Sequence, residues 1–74
     1  MQASELDFTS RFAHGIKAWR KRLQMTVEEF AEFVGTSANT IYNYENGHTM
    51  PQLYVALQIS TKLGTTLDGL LRGE

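Results

Sequence analysis

The chain has 74 residues, no cysteine and a formal net charge of −1. That length supports one small core, and the absence of thiols excludes disulfides, thiolate metal sites and cysteine nucleophiles. Hydrophobic residues at 42% and charged residues at 20% are the usage of a globular domain, not of a disordered tail.

No apolar run approaches the roughly 18 residues of a membrane span, and the N-terminus lacks the basic-then-apolar order of a signal peptide. A cytoplasmic location is therefore expected. Charge is uneven along the chain. Residues 1–25 set Glu5 and Asp7 against Arg11, Lys17, Arg20, Lys21 and Arg22, whereas residues 26–50 carry Glu28, Glu29, Glu32 and Glu45 and neither Lys nor Arg.

No paired β-branched runs flank a hairpin turn, and helical spacing dominates. Residues 1–7 read as a partly flexible arm. Phe8, Phe12, Ile16, Trp19 and Leu23 form one stripe, which predicts a first helix over 8–24, with Lys17, Lys21 and Arg22 on its wet side. Thr26 with Glu29 fits a capping box ahead of Phe30, Ala31, Phe33 and Val34, predicting a helix over 27–34 that stops at Gly35. Ser37 caps a third helix over 38–46, ended by Asn46-Gly47. Pro51 stands at the start of a fourth helix traced by Leu53, Ala56, Leu57, Ile59, Ser60 and Leu63 and closed by Gly64. Thr66 caps a short last helix, Leu67–Leu71. The expectation is an all-α compact bundle of five short helices occupying 8–72, with 73–74 as a tail. Its predicted core includes Phe12, Ile16, Trp19, Phe30, Ile41 and Leu57.

The second and third helices, over 26–46, have the proportions of a helix-turn-helix unit. A small residue at Ala31 lets the third helix cross closely, Gly35 permits the sharp exit, and Ile41 and Tyr44 anchor the third helix in the core. Asn39, Tyr42, Asn43 and Asn46 then face outward, with Ala38 at the N-terminal edge. Asn is a poor helix former, yet its amide pairs bidentately with adenine in the major groove. Glu45 falls on the inward shoulder, and Arg20 falls on the shoulder of the first helix.

The segment from Thr26 to Gly47 resembles the Cro/C1-type (XRE-like) helix-turn-helix of phage repressors and other regulators, and the likeness continues through Pro51, Leu63-Gly64 and Leu67 to Leu71. The resemblance implies a lambda-repressor-like domain that reads duplex DNA as a transcriptional regulator or repressor. By position it makes Ser37, Ala38, Asn39 and Asn43 base-reading residues. Val27, Thr40, Tyr42, Asn46, Gly47, His48 and Thr49 become contacts to the DNA backbone, and Arg20 with Glu45 a structural ion pair. It further implies a homodimer on a palindromic operator, with half-sites ~34 Å apart. Leu67, Leu70, Leu71 and Tyr54 are its candidate dimer contacts, and nucleoid association follows when DNA is bound.

Two departures shape the expectation. Val27 stands where the family often has Gln, and the loop 48–50 lacks the usual Lys or Arg. Non-specific binding is then expected to be weak, with a shallow salt dependence, because that dependence comes mostly from cationic contacts. His48 is expected to tighten the grip as pH falls. His14 reads as an exposed helix residue, and the two histidines lack metal-ligand spacing, so neither metal nor cofactor is expected. Glu28, Glu29 and Glu32 read as a solvated face, and no catalytic arrangement is visible, so no enzyme activity is expected. The alternative is a protein-interaction module of the antitoxin or anti-repressor type, motivated by the acidic second helix and the loop without Lys or Arg.

Overall fold

Local capping chemistry sets most of the helix boundaries. In the computed structural model, which describes residues 5–74, the chain forms α1 (Glu5–Arg22), α2 (Val27–Val34), α3 (Ala38–Glu45), α4 (Leu53–Leu63) and α5 (Leu67–Leu71). Thr26 completes the predicted capping box: Glu29 N donates to its hydroxyl at 3.1 Å, and its own amide donates to Glu29 Oε1 at 2.9 Å. Ser37 and Thr66 cap α3 and α5 by accepting from Thr40 N and Gly69 N. Gly35 ends α2 in the left-handed region at φ +88, a conformation that costs glycine nothing.

Both ends of α1 differ from the predicted 8–24. Of the predicted arm, residues 1–4 lie outside the described residues, while 5–7 already belong to the helix. Asp7 pairs with Arg11 one turn on, at 3.2 Å, which favours the added turn. At the other end the helix stops at Arg22. Gln24 takes φ 58, and the amides of Gln24 and Met25 fold back onto Lys21 O and Arg20 O. A left-handed helix stop without glycine carries no sequence signal. The third helix likewise closes one residue before the predicted end, with Asn46 as its cap.

The helices α2 and α3 pack on each other, α1 covers α3 and α5, and α4 bridges α2 and α5. The core at their meeting point holds Phe12, Ile16, Phe30, Ala31, Ile41, Tyr44, Ala56, Ile59 and Leu70. Phe12 meets Tyr44 edge-on, with centroids 5.3 Å apart. Two predicted core positions differ. Leu57 is 45% exposed, because the buried face of α4 is Ala56, Ile59 and Ser60, and Leu53 and Leu57 lie on its flank. Trp19 is half-buried against the core, with its indole N–H reaching 2.8 Å to Glu74 O. Leu23 and Phe33, though apolar and in helical register, are also exposed.

Burial pushes the Tyr44 phenol above its usual value. The stability of this neutral group is full below about pH 10, the range where a free phenol titrates, and is lost as pH rises through the higher folded value. Tyr44→Phe is therefore expected to flatten the alkaline limb of a stability-against-pH curve. An unchanged limb above about pH 10 overturns that assignment.

Candidate functional site

The outward surface of α3 is assembled by constraints on its inner side. Ile41 and Tyr44 are buried, which turns Asn39 and Tyr42 fully outward and leaves Asn43 half-exposed beside them. Asn46 is exposed at the helix end. Ala38 is half-buried and packs against the core, so only part of it reaches the surface. The hydroxyl of Ser37 accepts from Thr40 N and lies 2.8 Å from the Thr40 hydroxyl. That N-terminal pair thus stiffens the first turn before it contacts anything else.

One ion pair fixes how α3 lies on α1. Arg20 Nε donates to Glu45 Oε2 at 2.7 Å and its Nη2 donates to Glu45 Oε1 at 3.1 Å, the two-pronged geometry that guanidinium and carboxylate favour. A third donor, Nη1, reaches Met25 O at 3.2 Å and ties in the link before α2. The hydrogen bond to Glu45 raises Arg20 above its ordinary value, and partial burial acts the other way. The predicted partners Arg20 and Glu45 are thus brought together, each from an inward shoulder.

The loop after α3 has less to offer than its sequence suggests. The amides of Asn46, Gly47 and His48 donate to Tyr42 O, Tyr44 O and Asn43 O at 2.9–3.1 Å, closing the helix. Gly47 takes φ +73 for that purpose. The side chains of Asn46, His48 and Thr49 are all exposed and available to a ligand. At the N-terminus of α2 Val27 is buried, so its side chain contacts nothing outside; Glu29 N is taken by the Thr26 cap, and the amides of Val27 and Glu28 have no intrahelical acceptor. Glu28 and Glu29 flank them.

The cations of α1 divide between two edges. Arg22 turns toward the chain end: its guanidinium stacks 4.6 Å from the Trp19 ring and Nη2 donates to Gly73 O at 2.5 Å. Lys17 lines a depression that includes Glu45, so it lies on the edge facing α3. Among the described residues Lys17 and Lys21 join no ion pair. The bond set around residues 73–74, which no local pattern in the sequence announces, fastens the predicted tail to α1.

Among the described residues no three His, Cys, Asp or Glu side chains are placed to hold a metal ion. No helix among them is long and apolar enough to cross a membrane.

Five helices around one core, with α2 and α3 joined by a tight turn and α3 presenting a polar face, define a helix-turn-helix domain. The Helix-turn-helix family model HTH_3 matches residues 16–70, and the chain belongs to that family. It is 43% identical over 49 residues to an uncharacterized HTH-type transcriptional regulator of Methanothermobacter thermautotrophicus, a match covering 66% of this chain and 71% of that one. The fold is similar to an HTH_3 family transcriptional regulator from Vibrio cholerae, with a TM-score of 0.84 at 20% identity over 96% of this chain. It is also similar to part of the hydroxypropylphosphonic acid epoxidase of S. wedmorenis, with a TM-score of 0.78 at 26% identity over 88% of this chain. The chain spans 40% of the Vibrio protein and 35% of the epoxidase.

Proposed function

We propose that residues 8–72 form one DNA-binding domain that reads duplex sequence through α3 in the major groove, as a transcriptional repressor. The observation that carries this reading is the outward face of α3. Asn39, Tyr42, Asn43 and Asn46 stand on a helix held by a hydroxyl cap at one end and a buried ion pair at the other. A rigid helix bearing carboxamides suits base edges, which accept and donate in pairs. Asn39 and Asn43 act as the main base readers, with Ser37 and the exposed part of Ala38 beside them. Thr40, Tyr42, Asn46, His48 and Thr49 meet sugar and phosphate, together with the free amides at Val27. Gly47 contributes by shaping the helix end. Neither a cofactor nor a metal enters this reading, and it assigns the chain no catalysis.

A homodimer on a palindromic operator fits the same reading, but its contacts shift from those expected. Leu70 is fully buried, and Leu67 and Leu71 pack against the core, so they serve the fold. Leu53 at 66% and Tyr54 at 64% exposure, with Leu57, are the apolar side chains left on α4 for a second copy.

Selection of bound duplexes from a random pool at low salt tests the reading. A palindromic motif is expected, and Asn39→Ala and Asn43→Ala are each expected to relax one adenine position at a cost of about 1–3 kcal/mol. The second reading, a protein-interaction module, is favoured by the lack of Lys and Arg over 26–50 together with the apolar side chains of α4. No enrichment by the folded protein selects it.

A further inference from the structure

Between α1 and the end of α3 lies an open cleft of about 340 Å³, with Ser10 and His14 on one wall and Glu45, Asn46 and Gly47 on the other. A smaller depression of about 80 Å³ continues along α1, where His14 and Lys17 stand over Glu45. The two share His14 and Glu45, so they form one trough along the edge of α1 that faces α3. Gly47 lies across from Thr9, whose methyl would stand 3.9 Å from a Cβ added at the glycine.

The charge balance in this trough is cationic. Glu45 is the acidic group facing it from α3, but its carboxylate is 6% exposed and both its oxygens accept from Arg20. Arg11, on the far side of His14, is paired with Asp7, and Arg72, which faces His14 from the end of α5, is paired with Asp68 at 2.8 Å. Lys17 has no such partner among the described residues. Opposite it, the amides of Asn46, Gly47 and His48 are spent on α3, and the loop holds neither Lys nor Arg. The unpaired positive charge that borders the trough is therefore on α1, at Lys17.

We propose that the trough is a phosphodiester seat, with Lys17 as its cation and the His14 ring beside it on one wall and the Asn46 side-chain carboxamide on the other, gripping one strand of duplex DNA beside α3. The seat rests on the DNA-binding reading above and adds to it: the backbone contact that the family places on the loop is here shared with α1. It also explains how a loop without Lys or Arg is compatible with binding.

Fluorescence anisotropy with a labelled duplex of mixed sequence tests it, from about 50 to about 200 mM salt, the range over which each phosphate contact changes affinity several-fold. Lys17→Gln is expected to weaken binding about fivefold at the lower salt and to lower the slope of log affinity against log salt by about one. Lys17→Arg restores both. His14→Glu, which sets a carboxylate in the trough, is expected to weaken binding about tenfold. Lys62→Gln, on the exposed end of α4, stays within about twofold of wild type. Both trough residues are exposed, so thermal midpoints are expected to match the wild type and to separate contact from folding. If wild type binds and neither trough variant changes affinity or slope, the seat is overturned while the DNA reading stands. If wild type binds neither this duplex nor any member of a random pool at the lower salt, the DNA reading falls and the seat falls with it.

Discussion

Gly15→Ala is expected to destabilise the domain by about 3 kcal/mol, lowering the thermal midpoint by roughly 12–24 °C for a domain of this size. Helix propensity alone predicts the opposite sign. Within an α-helix, alanine is favoured over glycine by about 1 kcal/mol. The reversal comes from α5. A Cβ at Gly15 would stand 1.9 Å from Leu70 O and 3.0 Å from Leu70 C, both backbone atoms that no rotamer change can move. For α5 to retreat, Leu70 must leave a position where it is 0% exposed. The same shift pulls on the chain end, because Gly73 N donates to Leu70 O and Trp19 Nε1 donates to Glu74 O. Total stability for a small domain is of order 5–15 kcal/mol, so about 3 kcal/mol removes a large share. Thermal unfolding followed by circular dichroism measures it. A midpoint equal to or above wild type would show that α1 and α5 separate freely, and the close approach would then have no energetic weight.

That contact also shows where the sequence stops being informative. Caps at Thr26, Ser37 and Thr66 and stops at Gly35 and Gly64 are chemistry between residues a few positions apart, so reading them in order places α2, α4 and α5 closely. The Gln24 stop is equally local but uses a residue with no special preference for positive φ, and for that reason α1 ends two residues before the predicted boundary. On α4 the apolar positions cover more than one face. The four-residue step from Leu53 to Leu57 has helical register, but only the packing of neighbouring helices selects Ala56, Ile59 and Ser60 as the buried side. The reach of Arg22 and Trp19 to residues 73–74 spans more than fifty positions, and periodicity is blind to it.

At the candidate site, the outward set Asn39, Tyr42, Asn43 and Asn46 and the inward Glu45 followed from one helical wheel once Ile41 was placed inside. The consumption of the loop amides did not, because it depends on how the chain leaves α3. Nor did the trough at His14, which needs α1 and the end of α3 to be side by side.

Arg20→Met is expected to cost about 3–5 kcal/mol, and Arg20→Met with Glu45→Leu together to recover most of that loss. The single change leaves the Glu45 carboxylate, 6% exposed, without the guanidinium that holds both its oxygens. An uncompensated buried charge is the expensive state, whereas a matched apolar pair of similar size is often close to neutral. Arg20 also loses its bond to Met25 O, which ties the α1–α2 link to the same point, so full recovery is not expected. The raised value of Arg20 fixes the sign with rising pH: its contribution is present at neutral pH and is lost on the alkaline side only in extreme alkali. The contribution of Tyr44 is lost at lower pH than that of Arg20, so the two effects separate in one titration. Denaturant unfolding of the two single variants and the double variant gives the coupling between them. Additive losses, with the double variant as unstable as the sum, would mean the pair does not act as a unit. If the coupling holds, the double variant becomes a test of the site itself. It keeps the fold but removes the two-pronged constraint on α3, and its selectivity among duplexes is expected to fall further than its stability.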